Sequence, residues 1–129
     1  MKIYKQRGNS DCVLACLSMA MKLPYSKLWP KIFRREIEEA KGAYGSTFER
    51  AFEIAGLSDY LKVYVTNPED LQLLFFGRRA LLQVPSLNYK GGSHLVYWDG
   101  RELHDPSNKK TYKRIEDCKP TIVWIINMS

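Results

Sequence analysis

From Cys12 to Met21 almost every position is apolar: Cys12, Val13, Leu14, Ala15, Cys16, Leu17, Met19, Ala20 and Met21, with Ser18 as the one interruption. A helix with no polar face is buried on all sides, so the pattern predicts a central helix over about Asp11–Met21. Asn9, Ser10 and Asp11 are candidate N-caps just before it, which places Cys12 in the first turn. Leu23-Pro24 ends it. A second helical region is expected over about Ser26–Ala40, bent or interrupted by Pro30, with Arg34, Arg35, Glu36, Glu38 and Glu39 on a charged face that suits scaffolding. Ser46-Thr47-Phe48-Glu49 has the spacing of a capping box and opens a third helix, which stops near Gly56, where a left-handed residue is often required.

Beyond Gly56 the period changes. Leu61–Thr66 alternates like a strand, Asn67-Pro68 caps and starts a short helix through about Phe75, and Ala80–Val84 reads as a second strand. His94–Trp98, Arg101–His104 and Thr121–Ile126 complete a sheet. Helices first and strands afterwards predict an α+β fold, with the buried Cys12 helix and its neighbours packed on a C-terminal antiparallel sheet. With no repeat or linker in 129 residues, the expectation is one domain, 1–129.

Composition narrows the function classes. An ordered interior is within reach at 45% hydrophobic content with three Trp, eight Tyr and five Phe. Twenty Lys and Arg against 14 Asp and Glu give +6, but the basic residues come as scattered pairs, Arg34-Arg35, Arg78-Arg79 and Lys109-Lys110. No nucleic-acid motif accompanies them, so the balance favours an acidic protein or peptide partner over nucleic acid. Residues 1–10 lack the apolar stretch of a secretory signal, and runs such as Cys12–Leu17 and Thr121–Ile126 are too short to span a bilayer. A cytoplasmic, reduced location is expected. Three cysteines, two of them four apart on one helix, argue against a disulfide framework.

The candidate chemistry starts at Asp99-Gly100, a two-residue hairpin signal between strand-like runs. A type I′ turn there pairs Trp98 with Arg101 and, counting outward, Tyr97 with Glu102, Leu95 with His104 and His94 with Asp105. Directly opposed residues have Cβ atoms about 4.5–5.5 Å apart, so imidazole and carboxylate are predicted to hydrogen-bond. A carboxylate fixes the histidine tautomer and favours its protonated form, which a neighbouring thiol uses to become a thiolate. Cys12 qualifies by position: a helix start offers unpaired amide protons and a positive dipole end, favouring a thiolate and able to receive an oxyanion. Cys16 and Cys118 lack that place. Gln6, on the segment entering the helix, is positioned to donate its side-chain amide to the same developing charge.

Gln6, followed by Asp11-Cys12-Val13-Leu14-Ala15-Cys16-Leu17-Ser18-Met19, resembles the Gln/Cys signature of the double-glycine, bacteriocin-processing cysteine peptidases, a papain-like family. Ser93-His94-Leu95-Val96 is similar to that family's histidine strand, Asp105-Pro106 to its Asp-Pro element, and Glu69–Leu82 to the helix and strand that precede the histidine. The resemblance spans nearly the whole chain. It implies a papain-like fold and a thiol hydrolase of peptide or acyl bonds, with Cys12 as nucleophile, His94 as base, Asp105 as orienting carboxylate and Gln6 as oxyanion-hole donor. It also brings loops carrying Tyr44, Gly45 and Tyr89 near the cleft as candidate substrate contacts, with packing or turn roles as the alternative. It implies no cofactor. The chain departs from the pattern in three places: Val13 stands where a small residue, often glycine, follows the cysteine and is expected to crowd the cleft; no exporter segment is attached; and the hairpin from His94 to Asp105 is short. These point to a minimal, standalone version.

Other uses of the same residues are poorer fits. Zinc would draw on Cys12, Cys16, Cys118, His94 and His104, but there is no Cys-x-x-Cys or His-x-x-x-His, and the hairpin register sets the two histidines on opposite faces. No metal is expected, and His104 reads as an exposed or partly packed bystander. Gly91-Gly92 lacks the lysine and helix of a phosphate loop and reads as a flexible approach to the histidine strand. Trp98, Tyr97 and Trp124 suit packing. Two alternatives share the site residues: a catalytically silent module gripping a peptide or protein in the same cleft, and non-proteolytic acyl chemistry such as deamidation, transglutaminase-like transfer or deconjugation.

Overall fold

The structure is a computed structural model and describes residues 12–28, 45–67, 69, 71 and 77–127. Cys12–Met21 forms α1, Tyr25–Leu28 the short α2 and Gly45–Ala55 α3. The strands are β1 (Tyr60–Tyr64), β2 (Ala80–Pro85), β3 (Ser93–Trp98), β4 (Leu103–His104) and β5 (Ile122–Ile126). They form one sheet in the order β1-β5-β2-β3-β4, and every neighbouring pair is antiparallel. The fold is therefore mixed α+β, with the N-terminal helix packed on an antiparallel sheet. Most of the predicted 26–40 helix, and residues 68, 70 and 72–75 of the predicted 67–75 helix, lie outside the described residues. Asn67 Oδ1 does accept Glu69 N–H at 3.1 Å, as a helix-starting cap would.

Residues 12–20 of α1 are all buried, as a helix without a polar face must be. Its neutral exception, Ser18, returns its hydroxyl to Leu14 O at 2.9 Å. The helix ends in a left-handed residue, Lys22 at φ 56°, with Leu23 N bonded to Ser18 O and Lys22 N to Met19 O; this reciprocal pair satisfies carbonyls the last turn leaves open. Gly56, at φ 90°, ends α3 in the same way through Leu57 N to Phe52 O. A Cβ on Gly56 would meet only Met21 Cε at 3.9 Å, so Gly56→Ala strains the backbone without a clash. Urea unfolding should show a loss of about 1 kcal/mol for Gly56→Ala, and less for Gly56→Asn.

Alternation along the strands divides the core into two faces. Leu81, Leu95, Tyr97, Trp124 and Ile126 pack under α1 and α3, while Leu82, Val84, Val96, Val123 and Ile125 pack with Leu71 and Cys118 on the other side. On the helical face Trp124 is the hub: Phe52 and Phe48 meet its ring edge-on at 5.0 and 6.2 Å. Its indole N–H donates to Glu49 Oε1 at 3.2 Å. Glu49 Oε2 pairs with Lys62 Nζ at 3.0 Å, tying α3 to β1 as well as β5. Trp124 and Tyr97 are thus core residues, as their strand positions suggest, and Trp98 packs partly buried on the opposite face.

The hairpin departs from its predicted register. Trp98 pairs with Leu103 and Tyr97 with His104, so the connection is the four residues Asp99–Glu102 and the pairing is moved by two from Trp98–Arg101. A type I′ turn needs positive φ at both central residues, and of the Asp-Gly pair only Gly100 has it, at 102°. Asp99 instead uses its carboxylate: Oδ1 accepts the amides of Arg101 and Glu102, both at 2.8 Å. That side-chain cap organises a wider loop than the dipeptide signal implies.

Candidate functional site

Two contacts fix α1 along β3. Cys16 Sγ donates to Leu95 O at 3.3 Å, and at the far end of α1 the Arg79 guanidinium donates to Ala20 O. Arg79 directly precedes Ala80, whose strand partner is Trp98. The helix therefore runs in the same sense as β3. Cys12, about one turn before Cys16, comes level with the start of that strand, where His94 precedes Leu95.

His94 Nε2 lies 2.7 Å from Asp105 Oδ1, with side-chain exposures of 12% and 1%. The contact survives the altered register because a shift of two leaves every side chain on its own face. Asp105, one residue past the end of β4, stays in reach of His94 although it is not its direct ladder partner. The carboxylate is further held by Ser107 N–H on Oδ1 at 2.9 Å and Tyr112 N–H on Oδ2 at 2.8 Å. Burial opposes its charge, but the His94 bond and charge together with these two amides hold its pKa below the ordinary carboxylate value.

Cys12 bears on the same imidazole, entering the electrostatics of His94 beside Asp105. Burial disfavours the imidazolium, yet hydrogen bonds with Asp105 and Cys12 and the negative charge of both prevail, and the His94 pKa is pushed up to about 10. His94 and Asp105 are thus brought together, and Cys12 is near enough to bear on the charge of the ring. The other two thiols are held protonated: Cys16 is driven well up by burial and then by Cys12 and Asp105, and Cys118 is pushed to about 12 by burial and by Asp105, Asp117 and Glu116. Both are buried.

Gln6 and Tyr44 lie outside the described residues. Gly45 is not in a loop, as expected, but is the first residue of α3. Tyr89 is half exposed, at 50%, in the loop between β2 and β3. Val13 is wholly buried in the helix-side core, so its side chain serves packing, in contrast to the expectation that it crowds a cleft.

His104 also differs from expectation. It is a buried residue, stacked on the Tyr97 ring at 6.0 Å and paired through Nε2 with Asp99 Oδ2 at 2.8 Å. Pairing across β3 and β4 sets it opposite Tyr97, because its carboxylate partner is the hairpin residue that also caps the loop. Asp99, Glu102 and His104 bring donor atoms within 4.8 Å of one another, but both Asp99 oxygens are already committed to His104 and the loop amides. A groove of about 420 Å³ beside this hairpin, lined by Trp98, Arg101, Lys113 and Glu116 among others, shares no residue with the His94 site. Among the described residues, no helix is long and apolar enough to cross a membrane.

Sequence reasoning did not find the supporting residues Cys16, Ser107 and Tyr112. Ser107 carried a signal: an Asp two residues before a free amide commonly accepts it, as in an Asx turn. Cys16 and Tyr112 act through contacts distant in sequence and left no local trace. No family model and no curated protein matches the chain.

Proposed function

We propose that the chain is a thiol hydrolase of peptide or acyl bonds, in keeping with its resemblance to the double-glycine, papain-like cysteine peptidases. The observation that supports this reading is the His94–Asp105 bond of 2.7 Å, with Cys12 near enough to bear on the charge of the same imidazole. In this reaction His94 takes the proton of Cys12 and the thiolate attacks the carbonyl carbon. The tetrahedral oxyanion is received by the amide at the start of α1 and by Gln6. It collapses as His94 returns the proton to the leaving amine or alcohol, leaving an acyl-thioester on Cys12. Water, deprotonated by His94, then releases the acid and restores the thiol. Asp105 keeps the ring oriented and stabilises the imidazolium at each turn. The basic balance of the chain, +6, favours an acidic peptide or protein substrate.

A second reading is favoured by one observation: Cys12 is only 5% exposed. A buried sulfur suits a silent module that keeps the His94–Asp105 pair for structure and grips a peptide without cutting it. Expression of the wild type against Cys12→Ala, followed by proteome-wide identification of new protein termini, separates the two. New termini confined to the wild type are the expected result. Their absence together with a reactive Cys12 would point to non-proteolytic acyl chemistry on the same residues, and their absence with an inert Cys12 would leave the binding module.

A further inference from the structure

Asp105 sits where the sheet has stopped. β4 ends at His104, and no helix or strand follows until the 3-10 turn Ile115–Asp117. The amides of Ser107 and Tyr112 wrap the segment around its own carboxylate, but a wrapped segment is not thereby attached to anything else. The attachments run to the loop between β2 and β3. Asn88 Nδ2 donates to Ser107 Oγ at 3.1 Å and to Lys110 O at 3.2 Å, and Asn88 Oδ1 accepts Lys110 N–H at 3.1 Å. Beside it the Tyr112 hydroxyl donates to Pro85 O at 2.7 Å.

That loop is itself closed. Ser86 Oγ accepts the amides of Asn88 and Tyr89 at 3.2 and 3.0 Å, and Ser86 N bonds Gly92 O while Gly92 N bonds Tyr89 O. Gly92 is followed by Ser93 and His94. His94 and Asp105 are consequently joined twice: directly through the imidazole, and indirectly through β3, the folded loop, Asn88 and Ser107. A ring of this kind constrains the angle between imidazole and carboxylate more than either path alone, because moving the Asp105 segment breaks bonds on both.

Resting on the Cys12–His94–Asp105 reading, we propose that Asn88 is a positioning residue, which locks the Asp105 segment to the loop leading into His94 and thereby sets how the imidazole meets Cys12. Its side chain makes every bond from the loop to Ser107 and Lys110 described above. The backbone turn on Ser86 Oγ uses only the Asn88 amide and survives substitution. Asn88→Ala removes all three side-chain bonds. Asn88→Asp keeps an acceptor for Lys110 N–H but cannot donate to Ser107 Oγ or Lys110 O, and Ser107→Ala removes the Asn88 bond, together with the Lys109 N–H that Ser107 Oγ accepts at 3.2 Å, while leaving the Ser107 amide on Asp105.

The test is the rate of iodoacetamide alkylation at Cys12, resolved by peptide mass spectrometry, as a function of pH, with melting temperature measured alongside. Misplacement of a reacting group by about 1 Å can cost about a hundredfold; loosening rather than loss should lower labelling near pH 6 by roughly tenfold in Asn88→Ala and Asn88→Asp. Near pH 9, where unassisted thiols ionise, the change should be about twofold or less. Ser107→Ala should show the same change of shape, smaller in size, and keeps the test open should Asn88→Ala not fold. A profile parallel to the wild type with a lowered melting temperature would make Asn88 a purely structural brace and overturn the proposal. His94→Ala, run beside them, tests the underlying reading separately: if it retains fast labelling near pH 6, that reading fails, whatever Asn88 does.

Discussion

His94→Ala should slow alkylation of Cys12 near pH 6 by roughly a hundredfold while leaving Cys16 and Cys118 as slow as in the wild type. The thiolate is the reacting species, and an unassisted thiol with a pKa of about 8.5 is ionised to only about one part in three hundred near pH 6. An imidazolium on the sulfur removes that handicap, partly offset because a more stable thiolate is a poorer nucleophile. Since His94 keeps its proton up to about 10, the imidazolium should assist wild-type labelling throughout the range from about pH 6 to 9. In His94→Ala it should climb by about tenfold per pH unit, as for any simple thiol. Selectivity is an internal control, because burial holds Cys16 and Cys118 protonated through the same range. Equal sluggishness of all three sulfurs in the wild type would instead favour the silent binding module.

Much of this arrangement was legible in the order of residues, and the illegible parts share a cause. An unbroken apolar stretch has one physical outcome, a helix buried on every side, so the prediction over Asp11–Met21 meets α1 at Cys12–Met21. Strand positions followed from alternation and from β-branched runs, with ends displaced by a residue or two. The hairpin register was not legible, because the Asp-Gly signal describes backbone preference while Asp99 settles the loop with its side chain. The His94–Asp105 contact emerged all the same, since an error of two residues preserves the face on which a side chain lies; an error of one would have separated the groups. The level of Cys12 along β3 depends on Cys16 and Arg79, each bonded to a carbonyl far away in sequence, and such contacts have no local pattern. The same holds for Asn88, which reads as an ordinary turn residue until its loop is folded against residues 107–110. Gly45 was misplaced because the capping-box spacing starts one residue later than the helix does.

Asp105→Ala should be the most damaging single change at the site, costing about 3–5 kcal/mol of stability, the usual penalty for removing one partner of a buried charged pair. It strands the His94 ring and the amides of Ser107 and Tyr112, donors the carboxylate accepts at 2.7, 2.9 and 2.8 Å. Asp105→Asn, which keeps one oxygen acceptor, should cost less but still slow Cys12 labelling, because a neutral amide does not stabilise an imidazolium. The pH dependence follows from the two shifts. His94 is raised from 6.5 to about 10, so its contribution is complete below about pH 6.5 and fades as pH rises towards 10. Asp105 is lowered from 3.8, so its contribution is complete above that value and fades as pH falls through the folded-state pKa. Wild-type stability from this pair should therefore form a plateau between about pH 4 and 6.5, with an alkaline decline beyond it. In Asp105→Asn the alkaline decline should flatten, since His94 then has no carboxylate to hold its proton. Urea midpoints collected across that range measure both effects, and an Asp105→Asn variant whose alkaline slope matches the wild type would show that the carboxylate does not set the charge of the ring.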